Sequence, residues 1–338
     1  MRLLIVTQKV DRDDPILGFF HRWIEEFSKH YEKVTVIGQC VGTCELPSHV
    51  QVLSLRKERR WPLFLQIMRF WFLAARHRHD YDVVLIHMTP IWVILGWKLW
   101  FLLRKPVYLW YEARGGGWSL RIASLCVRKV FSASKCGIPL WTRKSVIVGH
   151  GIDTEHFMPG TAPREETLLV TVSRITTAKR LPIILHALAA LKEPYHLVIV
   201  GVPITADDRR TYAEIIDLIR HLHLQNRVVI QTMSHESLPS LLQRATIFLH
   251  ASVTALDKAV LEAMACGCAV VSCADAVETI LPDPLRASPE EMAGVVQWFC
   301  SLPNPEQENL RCTLCRTVRE HHSLPRLIER LYREMSPL

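Results

Sequence analysis

The segment LDKAVLEAMACGCAVVS (256–272) contains one helix pattern and one strand pattern, from which the fold class can be predicted. Its first part is rich in Ala, Leu, Met and Glu and predicts a helix that begins near Asp257. Its last part, residues 268–272, is a short continuous apolar run and predicts a strand that is buried on both faces. A helix followed directly by such a strand is the repeating unit of a parallel α/β sheet.

The same alternation extends in both directions from this segment. Short apolar runs rich in β-branched residues predict strands at 3–7, 33–38, 50–55, 82–87, 106–112, 130–134, 145–149, 167–173, 196–201, 227–231, 246–250 and 268–272. Amphipathic stretches between most of them predict helices, for example at 18–30, 180–192, 208–222 and 236–245. Two successive series of strands and helices predict an α/β protein with two doubly wound, Rossmann-like domains.

The boundary between the domains is predicted in GHGIDTEHFMPG (149–160), where glycine, proline and polar residues cluster. This gives domains 1–155 and 156–338, with the last C-terminal helix as a candidate to pack back on the first domain. The 338 residues suit two hydrophobic cores, and an apolar fraction of 49% can fill both. Because ligands bind at the carboxyl ends of strands in such sheets, we expect the site in a cleft between two facing domains.

The second half resembles the family 4 glycosyltransferases, which are retaining enzymes with the two-Rossmann GT-B fold. The matching segments, in order, are HGID…F.P (150–159), SRITTAKR (173–180), HLVIVG (196–201), residues 226–252 and LEAMACGCAVVS (261–272). The first half is similar more loosely, through 7–30 and 81–87. The resemblance implies transfer of a sugar from a nucleotide diphosphate sugar to a hydroxyl of a glycan or lipid-linked acceptor. It also implies that no cofactor and no bound metal is needed.

Arg174 and Lys179 are candidate catalytic residues in the loop after a predicted strand. Two cations there can clamp a diphosphate, Arg through forked hydrogen bonds and Lys as a point charge. A solvated loop with spare charge is the alternative explanation. The resemblance implies that they are the donor-diphosphate pair and stabilise the departing diphosphate.

Glu262 is a carboxylate in the middle of an otherwise apolar stretch of the opening segment. A carboxylate can accept two hydroxyl hydrogen bonds at once, which suits a ribose diol. The resemblance implies that Glu262 binds the nucleotide ribose. The alternatives are a buried glutamate paired with a nearby cation and a glutamate that faces water.

The turn before this helix departs from the family pattern. The family usually has a second glutamate eight residues before the first, and this chain has Thr254 there. Asp257 is the candidate to hold the donor sugar instead, and we include Thr254 and Lys258 among the substrate-binding candidates. Backbone N–H groups of 255–258 at the helix N-terminus can face the sugar or phosphate. The alternative is that Thr254 and Asp257 cap the helix.

Two candidates lie in the first domain, after the predicted loop QKVDRDDPIL (8–17). Gly18, as a glycine at a helix N-terminus, lets a phosphate or sugar approach the backbone, and the family has a glycine loop here. His21 lies one turn into the helix, where a substrate-binding histidine and a core-edge histidine are both consistent with the sequence.

A further departure lies in WYEARGGGW (110–118). The family often has a histidine after the fifth strand, close to the reaction centre, and this chain has Glu112, Ala113 and Arg114 there. Glu112 is therefore the candidate catalytic substitute and Arg114 a candidate substrate-binding residue. Thr254 and Ala113 together keep two other functions open: another GT-B enzyme, such as a nucleotide-sugar epimerase, and a non-catalytic paralogue that binds nucleotide or a protein.

Charge is distributed unevenly along the chain. The formal net charge is +8, with about +10 in residues 1–155 and about −2 in the remainder. Segments 56–79 and 91–105 interleave Trp and Phe with Arg and Lys, which suits the interface of an anionic membrane. We therefore expect a cytoplasmic protein with peripheral contact at the inner face of the membrane. Ordinary sheet-covering helices with charged rims are the alternative.

Several other classes of function are disfavoured. The ten cysteines are scattered and predict reduced thiols in a cytosol, and Cys312-x-x-Cys315 lacks a second pair for zinc. Because Met1 and Arg2 lead straight into the first predicted strand, we expect no cleavable signal peptide. Residues 83–103 could span a membrane by length, but His87, Pro90 and Lys98 interrupt them. No nucleic-acid-binding module is present. Acidic pairs at 11/13 and 80/82 are too short a pattern to predict a metal site.

Overall fold

The computed structural model describes residues 1–14 and 17–336. It divides the chain into two compact units. The N-terminal unit comprises Met1–Gly151 and the C-terminal segment that begins at Leu324, and the C-terminal unit comprises Ile152–Ser323. The second unit therefore begins at residue 152 rather than 156.

The N-terminal unit is built on a seven-stranded parallel sheet with the order β3-β2-β1-β4-β5-β6-β7. The strands are β1 (Arg2–Val10), β2 (Lys33–Val41), β3 (Val50–Ser54), β4 (Val83–His87), β5 (Val107–Trp110), β6 (Lys129–Ser132) and β7 (Ser145–Ile147). The helices between them are α1 (Phe19–Ser28), α2 (Leu63–Arg76), α3 (Pro90–Leu102) and α4 (Trp118–Cys126).

The C-terminal unit is built on a five-stranded parallel sheet with the order β10-β9-β8-β11-β12. The strands are β8 (Glu165–Val172), β9 (His196–Val200), β10 (Val228–Gln231), β11 (Ala245–His250) and β12 (Ala269–Ser272). The helices are α5 (Leu181–Ala190), α6 (Ala206–His221), α7 (Leu238–Arg244), α8 (Lys258–Ala265), α9 (Met292–Ser301) and α10 (Asn304–His321). Each of the twelve predicted strands coincides with one of the strands of the two sheets.

Both faces of the N-terminal sheet are covered, as its continuous apolar strands require. Along β1, Leu3 and Ile5 lie in one buried cluster, and Leu4 and Val6 lie in the other. This alternation follows from the two-residue period of a strand. All four side chains are completely buried, and each contributes roughly 1.5–3 kcal/mol to stability.

The last helix, α11 (Leu324–Met335), packs within the N-terminal unit. Leu327 and Leu331 are buried in the same cluster as Trp23 of α1. Glu334 also pairs with Lys129 of β6, with Oε2 2.5 Å from Nζ. The chain thus returns to its first unit after completing the second.

The first strand is longer than predicted. It pairs with β2 as far as Val10, which lies opposite Val41. The first three residues of the predicted loop 8–17 therefore belong to the sheet, and residues 15 and 16 of that loop lie outside the described residues.

The lengths and apolar character of the helices show whether any of them could cross a membrane. Among residues 1–14 and 17–336, no helix has both the length and the apolar character that a membrane crossing requires. Within the span 83–103, β4 ends at His87 and α3 begins at Pro90, so this span is a strand followed by a separate helix.

Candidate functional site

The carboxyl ends of β8 and β11 bring Lys179 and Asp257 together. The two strands are neighbours in the sheet, and the loops that follow them touch where the Val253 N–H donates to the Ala178 carbonyl at 3.0 Å. The Lys179 ammonium donates to both carboxylate oxygens of Asp257 at 2.7 Å. Residues separated by 78 positions in sequence thus form one ion pair.

Asp257 holds two further partners. Thr254 Oγ1 donates to Asp257 Oδ1 at 2.9 Å, and His250 Nε2 lies 2.9 Å from Oδ2. Burial alone would raise the pKa of Asp257, but the hydrogen bond from His250 and the charge of Lys179 hold that pKa far below its usual range. Asp257 is therefore ionised at neutral pH and fixes the position of Lys179.

The capping alternative for this turn is wrong for Asp257. Asp257 occupies the N-cap position of α8, but its side chain makes no capping hydrogen bond to the helix. The carboxylate is directed instead to Lys179, which adds a charged partner that an N-cap bond would not supply.

Arg174 is the second residue after β8, and one acidic side chain contacts its guanidinium. Its Nε is 3.7 Å from Oδ2 of Asp208, and half of its side chain is exposed. Asp208 is held at the start of α6 by a capping box with Thr205. The guanidinium is thus oriented by one carboxylate while remaining open to a ligand.

Gly201 allows the backbone after β9 to lie against the loop that carries Arg174. A Cβ on Gly201, directly after β9, would lie 1.9 Å from the Ser173 carbonyl oxygen. Only glycine allows the backbone after β9 to approach the residue that precedes Arg174 so closely.

Glu262 lies on α8 and is 5% exposed. Its Oε1 is 3.0 Å from His235 Nε2 and 4.0 Å from the Lys258 ammonium. Burial lowers the pKa of Lys258 to about 8, against the opposing influence of the Glu262 and Asp153 carboxylates. The buried carboxylate therefore has a cation and an imidazole as neighbours, and the imidazole comes from the loop between β10 and α7.

His235 is a site residue that the sequence did not single out. Its ring stacks on His156 at 6.0 Å between centroids and meets Phe157 edge-on at 5.0 Å. The available signal was its place in the segment 232–236, which follows the apolar run 227–231 at the carboxyl edge of the predicted sheet. His250 and Asp208 were also missed. His250 is the last residue of an apolar strand, and Asp208, in the first turn of α6, contacts Arg174 of the loop after another strand.

In the N-terminal unit, Gly18 and His21 lie at the start of α1. A Cβ on Gly18 would be 2.6 Å from the Asp14 carbonyl oxygen, so close backbone contact requires glycine there. His21 is 3% exposed, its Nε2 accepts from the Glu45 N–H at 3.2 Å, and its Nδ1 is 3.4 Å from Glu25. These contacts match the core-edge histidine among the two alternatives.

Glu112 has a structural role that the sequence did not predict. Its carboxylate accepts hydrogen bonds from the hydroxyls of Ser132 and Ser134 and from the N–H groups of Ala133 and Ser134. Burial raises the pKa of Glu112, although these four bonds oppose that rise. Gly137 is required beside it, since a Cβ there would be 2.1 Å from Glu112 Oε2.

The remaining candidates lie at the surface. Arg114 is exposed in the loop after β5.

Within the part of the chain that the structure describes, no group of three or more His, Cys, Asp or Glu side chains is arranged to hold a metal ion. The carboxylates of the second acidic pair bind cations of the protein itself: Asp80 pairs with Lys33, and Asp82 pairs with Arg2.

Comparisons with known proteins agree with this architecture. Residues 153–278 match the model of the family described as glycosyl transferases group 1. HepE of Anabaena, solved with UDP and glucose, is 16% identical, with a TM-score of 0.78 over 100% of both chains. Sucrose-phosphate synthase from Thermosynechococcus elongatus is 17% identical, with a TM-score of 0.77 over 99% of each chain. No curated protein matches the sequence.

A third solved structure is similar over the same extent. It is the apo form of the lipopolysaccharide outer core galactosyltransferase WaaB, 13% identical with a TM-score of 0.68 over 99% of each chain. At these identities the likeness establishes the fold. The prediction of an α/β GT-B fold with two Rossmann-like parallel sheets is confirmed.

Proposed function

We propose that this protein is a retaining glycosyltransferase of family 4 that moves a sugar, of hexose type, from a nucleotide diphosphate sugar to a hydroxyl of a glycan or lipid-linked acceptor. The observation that carries the proposal is the group of charged side chains at the carboxyl edge of the C-terminal sheet. Arg174, Lys179 and Glu262 lie there, within the residues that match the group 1 glycosyl transferase model. HepE, which has the same fold, was solved with UDP-glucose, which supports a donor of this kind.

The roles of these residues follow from where charge develops during transfer. As the bond to the sugar breaks, the leaving diphosphate gains negative charge, and Arg174 and Lys179 would stabilise it without a metal ion. Glu262 would accept hydrogen bonds from the ribose hydroxyls. Thr254 and Asp257 would bind the donor sugar, and Lys258 would add a third cation close to Glu262.

The N-terminal unit would hold the acceptor, with Gly18 and Arg114 as candidate contacts, whereas His21 is buried and engaged by Glu45 and Glu25. Glu112 is the weakest of the proposed catalytic groups, since both its oxygens already accept hydrogen bonds. A role in transfer would require at least one of these bonds to be released as the substrates bind.

Peripheral contact with the cytoplasmic face of an anionic membrane is part of the proposal. Helices α2, α3 and α4 carry large apolar side chains that are mostly exposed, namely Leu63, Phe64, Met68, Phe72, Phe101, Leu102, Trp118 and Leu125. The loop before α2 carries Lys57, Arg59 and Arg60 exposed, with Arg56 placed over the Trp61 ring at 4.9 Å. Apolar side chains beside a cationic loop suit a surface of anionic lipid.

The test is incubation of the purified protein with UDP-, GDP- and ADP-sugars, followed by separation of the products. Transfer to an acceptor, or slow hydrolysis with release of one nucleoside diphosphate, is the expected result. Conversion of the donor into its epimer would assign the chain to the epimerases. Binding without turnover would identify a non-catalytic paralogue, which the departures at Thr254 and Ala113 and the engaged Glu112 favour as the second candidate.

A further inference from the structure

A cavity lies in the C-terminal unit, away from the candidate donor site. Its volume is about 1030 Å³. Its lining includes Thr167 near the start of β8, Tyr195 directly before β9 and Gly267 before β12. The amino ends of parallel strands meet at one edge of a sheet, so this cavity is separated from Arg174 by the length of β8, roughly 25 Å.

Arg311 of α10 lines this cavity and is 8% exposed. Its Nε is shielded from solvent and has no hydrogen-bond partner among the described residues. Its guanidinium lies over the Phe299 ring, with Cζ 5.0 Å from the ring centroid. Burial, followed by the charge of Arg164, lowers the pKa of Arg311.

A buried guanidinium needs a compensating anion more than an exposed one does. Removing a charge from water is costly unless it is paired and hydrogen-bonded, and a ring face compensates only part of that cost. Nowhere in residues 1–14 and 17–336 does a carboxylate form an ion pair with Arg311 within 4.0 Å.

The surroundings favour an anion at the Arg311 end of the cavity. Arg316 and Arg319, which follow on α10, also line the cavity, and so does Arg164, whose charge acts on Arg311. Arg164 itself is fixed, since it donates to the carbonyls of Leu242, Ala245 and Cys266. The acidic residues of the lining, Glu166, Glu308 and Glu320, are exposed, as are Arg316 and Arg319, so Arg311 is the buried one among the charged residues of this lining.

From this geometry we infer that the cavity is a binding site for a small metabolite that carries an oxyanion, either a phosphate monoester or a carboxylate. The oxyanion pairs with Arg311, whose planar fork matches both groups. The cavity is large enough for a metabolite of sugar-phosphate size, because ligand cavities typically measure about 300–1,000 Å³. The hydroxyls of Thr167 and Tyr195 lie in the same lining and can bind its polar part.

The first test is calorimetric titration of the whole protein with glucose 6-phosphate and, separately, with citrate, with UDP present throughout to occupy the donor site. At least one of the two ligands should bind with a Kd of about 1 mM or lower. Arg311→Gln should weaken this binding about 10- to 100-fold, the usual effect of losing one charged hydrogen-bond partner. Arg209→Gln, at an exposed position of α6, should leave it unchanged.

The ligand that binds identifies the group recognised, phosphate or carboxylate. Absence of binding by both ligands, or equal binding by the wild type and Arg311→Gln, overturns the inference. A second measurement needs no variant at Arg311. Cys312 lines the cavity, and it alone among the ten cysteines is exposed, so an occupied cavity should slow its alkylation severalfold. Unchanged alkylation at saturating ligand would also overturn the inference.

Discussion

Polar side chains follow the strands of both sheets at the carboxyl edge, but they have different partners in the two units. At the C-terminal sheet, Lys179 and Glu262 pair with charged or titratable side chains from other loops of that edge. At the N-terminal sheet, Glu112 binds backbone and hydroxyl groups of the next strand, and His87 is stacked on Phe20 at 4.0 Å between centroids.

This difference separates a ligand-binding edge from a structural one. Ion pairs between side chains can exchange one partner for a bound anion, because the phosphate then replaces the carboxylate as the charged partner of the cation. A carboxylate that satisfies buried backbone N–H groups cannot leave without exposing those donors. The C-terminal edge is therefore suited to a charged donor, whereas the N-terminal unit offers its apolar helices and cationic loop as its free surface.

The largest effect of a substitution is expected on liposome binding by the apolar helices and cationic loop of the N-terminal unit. The wild type should sediment with anionic liposomes at low salt and be released at high salt, since salt screens the attraction. Replacing Arg56, Lys57, Arg59 and Arg60 by Gln should abolish sedimentation, because each cation contributes about 1 kcal/mol near an anionic leaflet. Nucleotide affinity should not change.

The matched control is replacement of three exposed cations of α6: Arg209, Arg210 and Arg220. It should leave sedimentation intact. If the wild type does not sediment with anionic liposomes at low salt, the proposed membrane contact is wrong. A soluble acceptor is then the better proposal.

The next effect concerns the structural edge. Glu112→Ala leaves the hydroxyls of Ser132 and Ser134 and two backbone N–H groups without their acceptor, so the free energy of unfolding should fall by about 3 kcal/mol or more. Glu112→Gln keeps one acceptor oxygen and should lose less. Denaturant unfolding measures both. If Glu112→Ala retains full stability but loses turnover, the residue is catalytic and the comparison between the edges fails.

A smaller effect is expected in the pH dependence of ligand binding at the C-terminal edge, where Lys258 lies. Lys258 has a pKa of about 8 in the folded protein, below its unfolded value near 10.4, so its protonated form costs folding free energy below pH 8 and that cost fades as pH rises. A bound diphosphate favours the protonated form. Nucleoside diphosphate affinity should therefore fall by up to about tenfold between pH 7 and pH 9. Lys258→Met should lack this decline; an identical decline in the variant would exclude Lys258 from the site.

The architecture could be predicted from the sequence because it depends on local patterns. Continuous apolar runs identify strands that are buried on both faces, as at β12, and amphipathic stretches identify the helices between them. The extent of β1 to Val10 could not be predicted in this way, because Lys9 and Val10 join the sheet through pairing with β2.

The sequence predicts where the candidate site residues lie relative to the strands, but not which of their side chains form ion pairs. Residues that follow strands of one parallel sheet must meet at one edge, and in the structure Arg174 and Lys179 follow β8 while Glu262 lies on the helix after β11. No local pattern indicates that Lys179 pairs with Asp257, because the pair depends on β8 lying beside β11. The donors of Glu112 are equally remote, twenty or more positions away.

Whether the carboxyl edge of the C-terminal sheet binds the donor is tested by comparing two ligands: the nucleoside diphosphate selected by the donor panel, and the corresponding nucleoside. Arg174→Ala and Lys179→Ala should each weaken the diphosphate about 10- to 100-fold and leave the nucleoside unchanged, since each removes a charged partner of about 1.5–3 kcal/mol. Glu262→Ala should weaken both ligands, and Arg220→Ala neither. Unchanged titration curves in all three site variants, each with a native unfolding temperature, would contradict a donor site at this edge.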